Sequence, residues 1–197
     1  RVRQPRAMLK KLIEAEPKDE LLEALQNVLG FMAKHPSLSA RDFGVFGSML
    51  HNFHHPAFSD IDLIVYGRKN LRKLCETLEN LYSEKNFLRN EFESEKALEG
   101  KHWKFVNYSP KEYLWHQQRK MIYALFENKE TGRDIKTEFE PEKDWKETCN
   151  EYNPNTRVLK KGWIKAVARI TNDQDAPFIP SIYQIEILKI LEGPMME

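Results

Sequence analysis

The chain of 197 residues has 41% apolar and 31% charged side chains, enough core-forming material to exclude disorder along its whole length. That length suits one large domain or two small ones. Lysine plus arginine (31) nearly balance aspartate plus glutamate (30), so bulk charge makes no case for a nucleic-acid or membrane partner, and any basic site must be local.

In chain order, residues 17–35 place Leu21, Leu22, Leu25, Val28, Leu29 and Met32 at helical spacing behind an acidic first turn, and Pro36 stops the run. Asp42 to Phe46 reads as a short strand ending at Gly47-Ser48. Asp60 to Gly67 reads as a second, β-branched strand stopped by its glycine. Leu71 to Tyr82 returns to the helical period, giving the strand–helix alternation of α/β folds. A further helix is expected over 110–119, opened by Ser109-Pro110. A β-hairpin follows, with Met121 to Phe126 and Asp134 to Phe139 as strands and a turn over Asn128 to Gly132. From about residue 156 the texture becomes β-rich, in two runs joined by the polar loop Thr171 to Asp175. The expected architecture is therefore an α/β (α+β) domain over 1–155, a mixed sheet flanked by helices, with a small β-rich domain over 156–197, either a barrel or a sheet. There is no internal repeat and no low-complexity tract.

The longest apolar runs are far short of the ~20 residues that a membrane-spanning helix needs, so no membrane partner is expected. Two cysteines, Cys75 and Cys149, are too few for a disulfide framework and read as reduced thiols of a cytoplasmic protein.

One constellation carries chemistry, the segment 46–67. A strand ends in Gly47-Ser48, a spacer runs over 49–59, and Asp60-Ile61-Asp62 heads the next apolar strand. Residues i and i+2 of a strand share a face about 7 Å apart, so Asp60 and Asp62 point together while Ile61 and Leu63 enter the core. Two carboxylates so placed repel each other unless a cation joins them. Mg²⁺ suits the pair, because it takes hard oxygen ligands and completes its shell with water and substrate phosphates. Gly47 lets a phosphate approach the backbone, and Ser48 offers a hydroxyl and an N–H where a helix begins.

This arrangement resembles the nucleotidyltransferase superfamily of DNA polymerase beta, the CCA-adding enzymes and the minimal nucleotidyltransferases. The C-terminal runs are similar to those of archaeal predicted nucleotidyltransferases. The resemblance implies an enzyme that binds a nucleoside triphosphate such as ATP on Gly47 and Ser48. It also implies Mg²⁺, or Mn²⁺ in its place, on Asp60 and Asp62, and a third carboxylate that deprotonates and positions the acceptor hydroxyl. Asp134 and Glu138 are the two candidates, on one face of the hairpin strand but roughly 13 Å apart, so only one can serve. Asp134, followed by Ile135 as in the family pattern, is favoured. The acceptor stays open among a nucleic-acid end, a protein side chain and a small molecule. The alternative reading is a catalytically degenerate module of the same fold that binds nucleotide or RNA.

Other residues carry weaker signals. His51, His54 and His55 crowd the spacer and read first as exposed loop histidines. Arg157, Lys160, Lys161, Lys165 and Arg169, with Trp163 among them, read either as a nucleic-acid-binding stretch or as the solvated face of a strand, and the second is favoured. Lys111, His116, Arg119 and Lys120 flank the helix beside the hairpin, where the family's triphosphate contacts lie. Trp103, Trp115 and Trp145 suit core or interface better than a base platform.

Overall fold

A computed structural model describes residues 3–34, 38–84, 87–99, 106–148, 155, 157 and 159–193. The stop at Pro36, Trp103 and Cys149 lie outside the described residues. The chain divides into two compact units, Arg1–Glu140 and Pro141–Glu197.

The first unit opens with a helix that the apolar pattern of 17–35 does not cover, α1 (Pro5–Glu14), which buries Leu9 and uses Pro5 in its first turn. The next helix, α2 (Glu20–Lys34), begins where its cap dictates. The Asp19 carboxylate accepts from the backbone N–H of Leu21 (3.1 Å) and Leu22 (3.0 Å), satisfying two of the donors a helix start leaves open. Its apolar stripe of Leu21, Leu25, Val28 and Met32 is almost wholly buried.

Strand β1 (Phe43–Val45) pairs antiparallel with β2 (Ile61–Tyr66), Phe43 opposite Val65 and Val45 opposite Leu63. Between them lie the one-and-a-half-turn helix α3 (Gly47–His51) and the spacer loop. Helix α4 (Arg68–Ser83) then buries Leu71, Leu74, Leu78 and Leu81, each at the next helical turn. A three-residue strand absent from the sequence reading, β3 (Leu88–Asn90), precedes α5 (Pro110–Arg119). The start of α5 is where Ser109-Pro110 placed it: the Ser109 hydroxyl accepts from the Glu112 N–H, and the Glu112 carboxylate accepts from the Ser109 N–H. The expected hairpin forms as β4 (Tyr123–Asn128) and β5 (Arg133–Glu142), with Gly132 at positive φ in the turn.

These five strands make one sheet in the order β1-β2-β5-β4-β3, the α+β arrangement expected. The strand carrying Asp62, with Asp60 immediately before it, thus lies beside the strand carrying the candidate third carboxylates. Along β5, Ile135, Thr137 and Phe139 are buried, while Lys136, Glu138 and Glu140 remain half-open on the other face. In β2, Ile61, Leu63 and Val65 are fully buried, which leaves Asp62 on the opposite face. Each such side chain contributes about 1.5–3 kcal/mol of hydrophobic stabilisation.

The second unit contains an antiparallel ribbon, β6 (Lys165–Asp175) and β7 (Ile182–Glu192). Of the two architectures expected, it is a sheet and not a barrel among the described residues. The segment Thr171 to Asp175, expected as a loop, belongs to β6. Its polar composition yields to cross-strand pairing, Asn172 opposite Gln184 and Asp175 opposite Ile182, with register shifts absorbing the mismatch. No helix among the described residues is long and apolar enough to cross a membrane.

Candidate active site

The site begins at the end of β1. The Phe46 N–H donates to the Asp62 carbonyl (2.9 Å), extending the β1–β2 ladder by one bond and laying the next residue, Gly47, against the side chain of Asp62. Gly47 adopts a φ of +57°, and a Cβ there would stand 1.9 Å from Asp62 Oδ2. Glycine is thus required twice at this position, for the dihedral angle and for the space.

Asp60 and Asp62 open into a cavity of about 250 Å³, which they line together with Glu91, Phe92, Tyr113, Tyr123, Lys136, Thr137 and Glu138. Burial pushes the Asp60 carboxyl above its ordinary range, against the pull of the Lys136 and Arg133 charges. Asp62 is raised by burial and then by the negative charges of Asp60 and Glu140. Glu138 is raised by burial and by Glu140 and Asp62, although a hydrogen bond with Tyr123 favours its charged form. Tyr123 stands directly opposite Glu138 in the β4–β5 register, which explains that bond. The Lys136 ammonium lies 2.7 Å from the Glu91 carboxylate, and its pKa is raised, first by that hydrogen bond and then by the negative charges of Glu91, Asp60 and Glu138.

Several acids crowding one cavity, with their pKa values driven upward, form a place where a cation is favoured. Among the described residues, however, no three His, Cys, Asp or Glu side chains converge as a closed metal centre. The donor set therefore fits an ion that takes one or two carboxylates and fills its remaining positions with water and phosphate oxygens, as Mg²⁺ does, and does not fit a structural zinc.

The two candidates for the third carboxylate are separated by the structure. Glu138 lies in the cavity with Asp60 and Asp62. Asp134 forms an ion pair with Arg89, is 44% exposed, and lines a different, larger cavity of about 770 Å³ with Lys96 and Leu125. The two cavities share Glu91 and Lys136. Sequence reasoning did not single out Lys136, Tyr123 or Glu91. Lys136 was findable, two residues from Glu138 on the same strand face. Glu91 was not, because it follows the short strand β3 that carries no period-2 signal.

The spacer histidines divide. His51 is exposed and stacks on Phe53, and His55 is exposed and packs on Phe58. The His54 side chain is only 11% exposed, with its Nε2 3.1 Å from Asp19 Oδ2, so it ties the spacer to the start of α2. Arg119 lies over the Trp115 ring, and His116 packs edge-on against Tyr108 and Trp115. Trp115 (53% exposed) and Trp145 (89% exposed) are not core residues. In the ribbon, Lys165 pairs with Glu192 and Arg169 with Glu186, the pattern of a solvated, ion-paired strand face.

Residues 25–131 match the profile of the nucleotidyltransferase domain family, more than half of the chain, and the protein belongs to that family. It is also similar to an uncharacterized protein of Methanocaldococcus jannaschii, with 24% identity over 165 residues. That alignment covers 84% of this chain and 46% of the relative, so the chain spans less than half of the relative's length. No solved structure matches the chain.

Proposed function

We propose that the protein is a Mg²⁺-dependent nucleotidyltransferase that moves a nucleoside monophosphate from a nucleoside triphosphate to an acceptor hydroxyl. The observation that carries this reading is the contact of Gly47 with the Asp62 carboxylate, beside one cavity that holds Asp60, Asp62 and Glu138. The Gly47-Ser48 turn presents backbone N–H groups and the Ser48 hydroxyl to the triphosphate, and the missing Cβ leaves the room that the Asp62 carboxylate takes beside the turn. Asp60 and Asp62 hold the divalent cation, which neutralises phosphate charge when bound. Glu138 takes the proton of the acceptor hydroxyl. The freed oxygen forms a bond to the α-phosphorus, the bond from that phosphorus to the bridging oxygen breaks, and pyrophosphate leaves with those electrons. A carboxyl with a raised pKa is better matched to this proton transfer near neutral pH than an ordinary one. Tyr123 holds Glu138 by its hydrogen bond.

The test is thermal unfolding with each nucleoside triphosphate, with and without Mg²⁺, for the natural chain and an Asp60→Asn/Asp62→Asn variant. A ligand that binds only the native state raises the midpoint. A Mg²⁺-dependent rise that disappears in the variant supports the reading; no rise with any triphosphate overturns it.

A further inference from the structure

Asp60 sits at the end of the spacer loop, just before β2 begins, so the sheet ladder alone does not hold it. The loop has its own internal bonds: the His55 N–H donates to the Ser59 hydroxyl (2.9 Å), and the Ser59 N–H to the His55 carbonyl (2.9 Å). Nothing in these bonds sets the loop's distance from the sheet. His54 ties the loop to α2 through Asp19, and among the described residues a second side chain joins it to the sheet. Arg133, the first residue of β5, donates through Nη2 to the Ser59 carbonyl (2.9 Å), and through Nη1 to the Pro56 carbonyl and to Glu20 Oε1 (3.3 Å). A single guanidinium therefore joins β5, the spacer loop and the head of α2. The Ser59 carbonyl belongs to the peptide that enters Asp60, so fixing that oxygen fixes the plane from which the Asp60 side chain departs.

We propose that Arg133 is the positioning residue of the nucleotidyl-transfer site, setting Asp60 beside Asp62 so that both carboxylates reach one cation. The proposal rests on the reading of Asp60 and Asp62 as cation ligands. It assigns Arg133 a role through Asp60 and no contact with substrate. The side chain is only 22% exposed, and its planar fork is what the geometry uses: two carbonyls and a carboxylate lie in different directions, and N–H groups fixed on Nη1 and Nη2 meet all three together. A lysine carries the same charge on one rotating ammonium and cannot reproduce that fork. A latch that merely stabilised the loop would act on the melting temperature and leave the pair's cation affinity unchanged.

The experiment compares the natural chain with Arg133→Met and Arg133→Lys by two readouts: Mn²⁺ affinity from calorimetric titration, and amide hydrogen exchange of residues 55–62. In Arg133→Met, Mn²⁺ binding should weaken about 10- to 100-fold, the usual cost of losing the support behind a metal ligand. Exchange at Ser59 and Asp60 should quicken while the β2 amides beyond Asp62 keep their protection. Arg133→Lys should restore melting temperature more fully than Mn²⁺ affinity, and it serves as the folded variant if the methionine form does not fold. Mn²⁺ affinity equal to that of the natural chain in either variant overturns the proposal. If the natural chain itself binds no Mn²⁺, the reading of the aspartate pair fails. The exchange data then still decide the structural half, and unchanged exchange at Ser59 and Asp60 overturns it.

Discussion

Gly47 and Asp62 touch so closely that position 47 has no room for a methyl group: a Cβ there would lie 1.9 Å from Asp62 Oδ2 and 2.9 Å from its carboxyl carbon. The turn that presents backbone donors and the carboxylate that would hold a cation are therefore one packed unit. The Phe46–Asp62 backbone bond fastens the two segments together one residue before Gly47.

Gly47→Ala should accordingly cost about 1–3 kcal/mol from the positive φ alone, with the displaced carboxylate adding to it. Urea unfolding measures the stability loss. The same variant should lose the Mg²⁺-dependent rise in midpoint with nucleoside triphosphate, and a rise equal to that of the natural chain would show that the contact does not shape the site.

The two hairpin acids should part in activity. Glu138→Gln keeps the shape and the Tyr123 neighbour but cannot take a proton, so pyrophosphate release should fall about 10²- to 10⁴-fold. Asp134→Asn removes an exposed ion pair with Arg89, an interaction worth roughly 0–1 kcal/mol. Its rate should stay close to that of the natural chain. The opposite ranking in a pyrophosphate-release assay would return the proton-accepting role to Asp134.

The acid cavity should make stability fall as pH rises from acid. Asp60, Asp62 and Glu138 all have pKa values raised in the folded state, so over this window the native chain binds more protons than the unfolded one. Their protonated contribution is fully present below the unfolded values, near pH 4, and is lost as pH climbs through the raised ones. Asp62→Asn should therefore melt a few degrees above the natural chain at pH 7 and lose that advantage near pH 4. Adding Mg²⁺ at pH 7 should close the gap by raising the natural chain alone. An equal melting temperature for the two proteins across the range would contradict the crowding of charges at this site.

Cys75 faces the carbonyls at Lys120 and Met121, and burial pushes its thiol up to about 11. At pH 8 the native thiolate fraction is then roughly 200-fold below that of an ordinary cysteine near 8.5. Alkylation of Cys75, followed by peptide mass mapping, should be correspondingly slow in the folded chain and should recover in denaturant. Rapid modification under native conditions would mean that this face of α4 opens.

Much of the molecule was legible from neighbouring residues. The leucine stripe of α2, the Ser109-Pro110 start of α5, the Gly132 turn and the apolar alternation of β2 all depend on side chains a few positions apart, acting through caps, turns and period. The same local logic put Asp60 and Asp62 on one face behind Gly47-Ser48. What it could not decide was contact between segments distant in the chain. Asp134 and Glu138 look equivalent by alternation. Only the seating of β5 beside β2 turns Glu138 toward Asp62, and only the nearby β3 gives Asp134 its arginine. Polar residues 171–175 became strand because a partner strand was present to pair with them. Arg133 looks like any residue after a turn glycine until the loop carbonyls of Pro56 and Ser59, more than 70 residues earlier in the chain, are brought to it. The sequence by itself determined the aspartate pair and its glycine turn, because strand alternation and turn chemistry act within a few residues. The tertiary structure alone decided which hairpin acid shares a cavity with them and which loop carbonyls Arg133 meets, because both depend on strand order and on the docking of a loop to a distant strand.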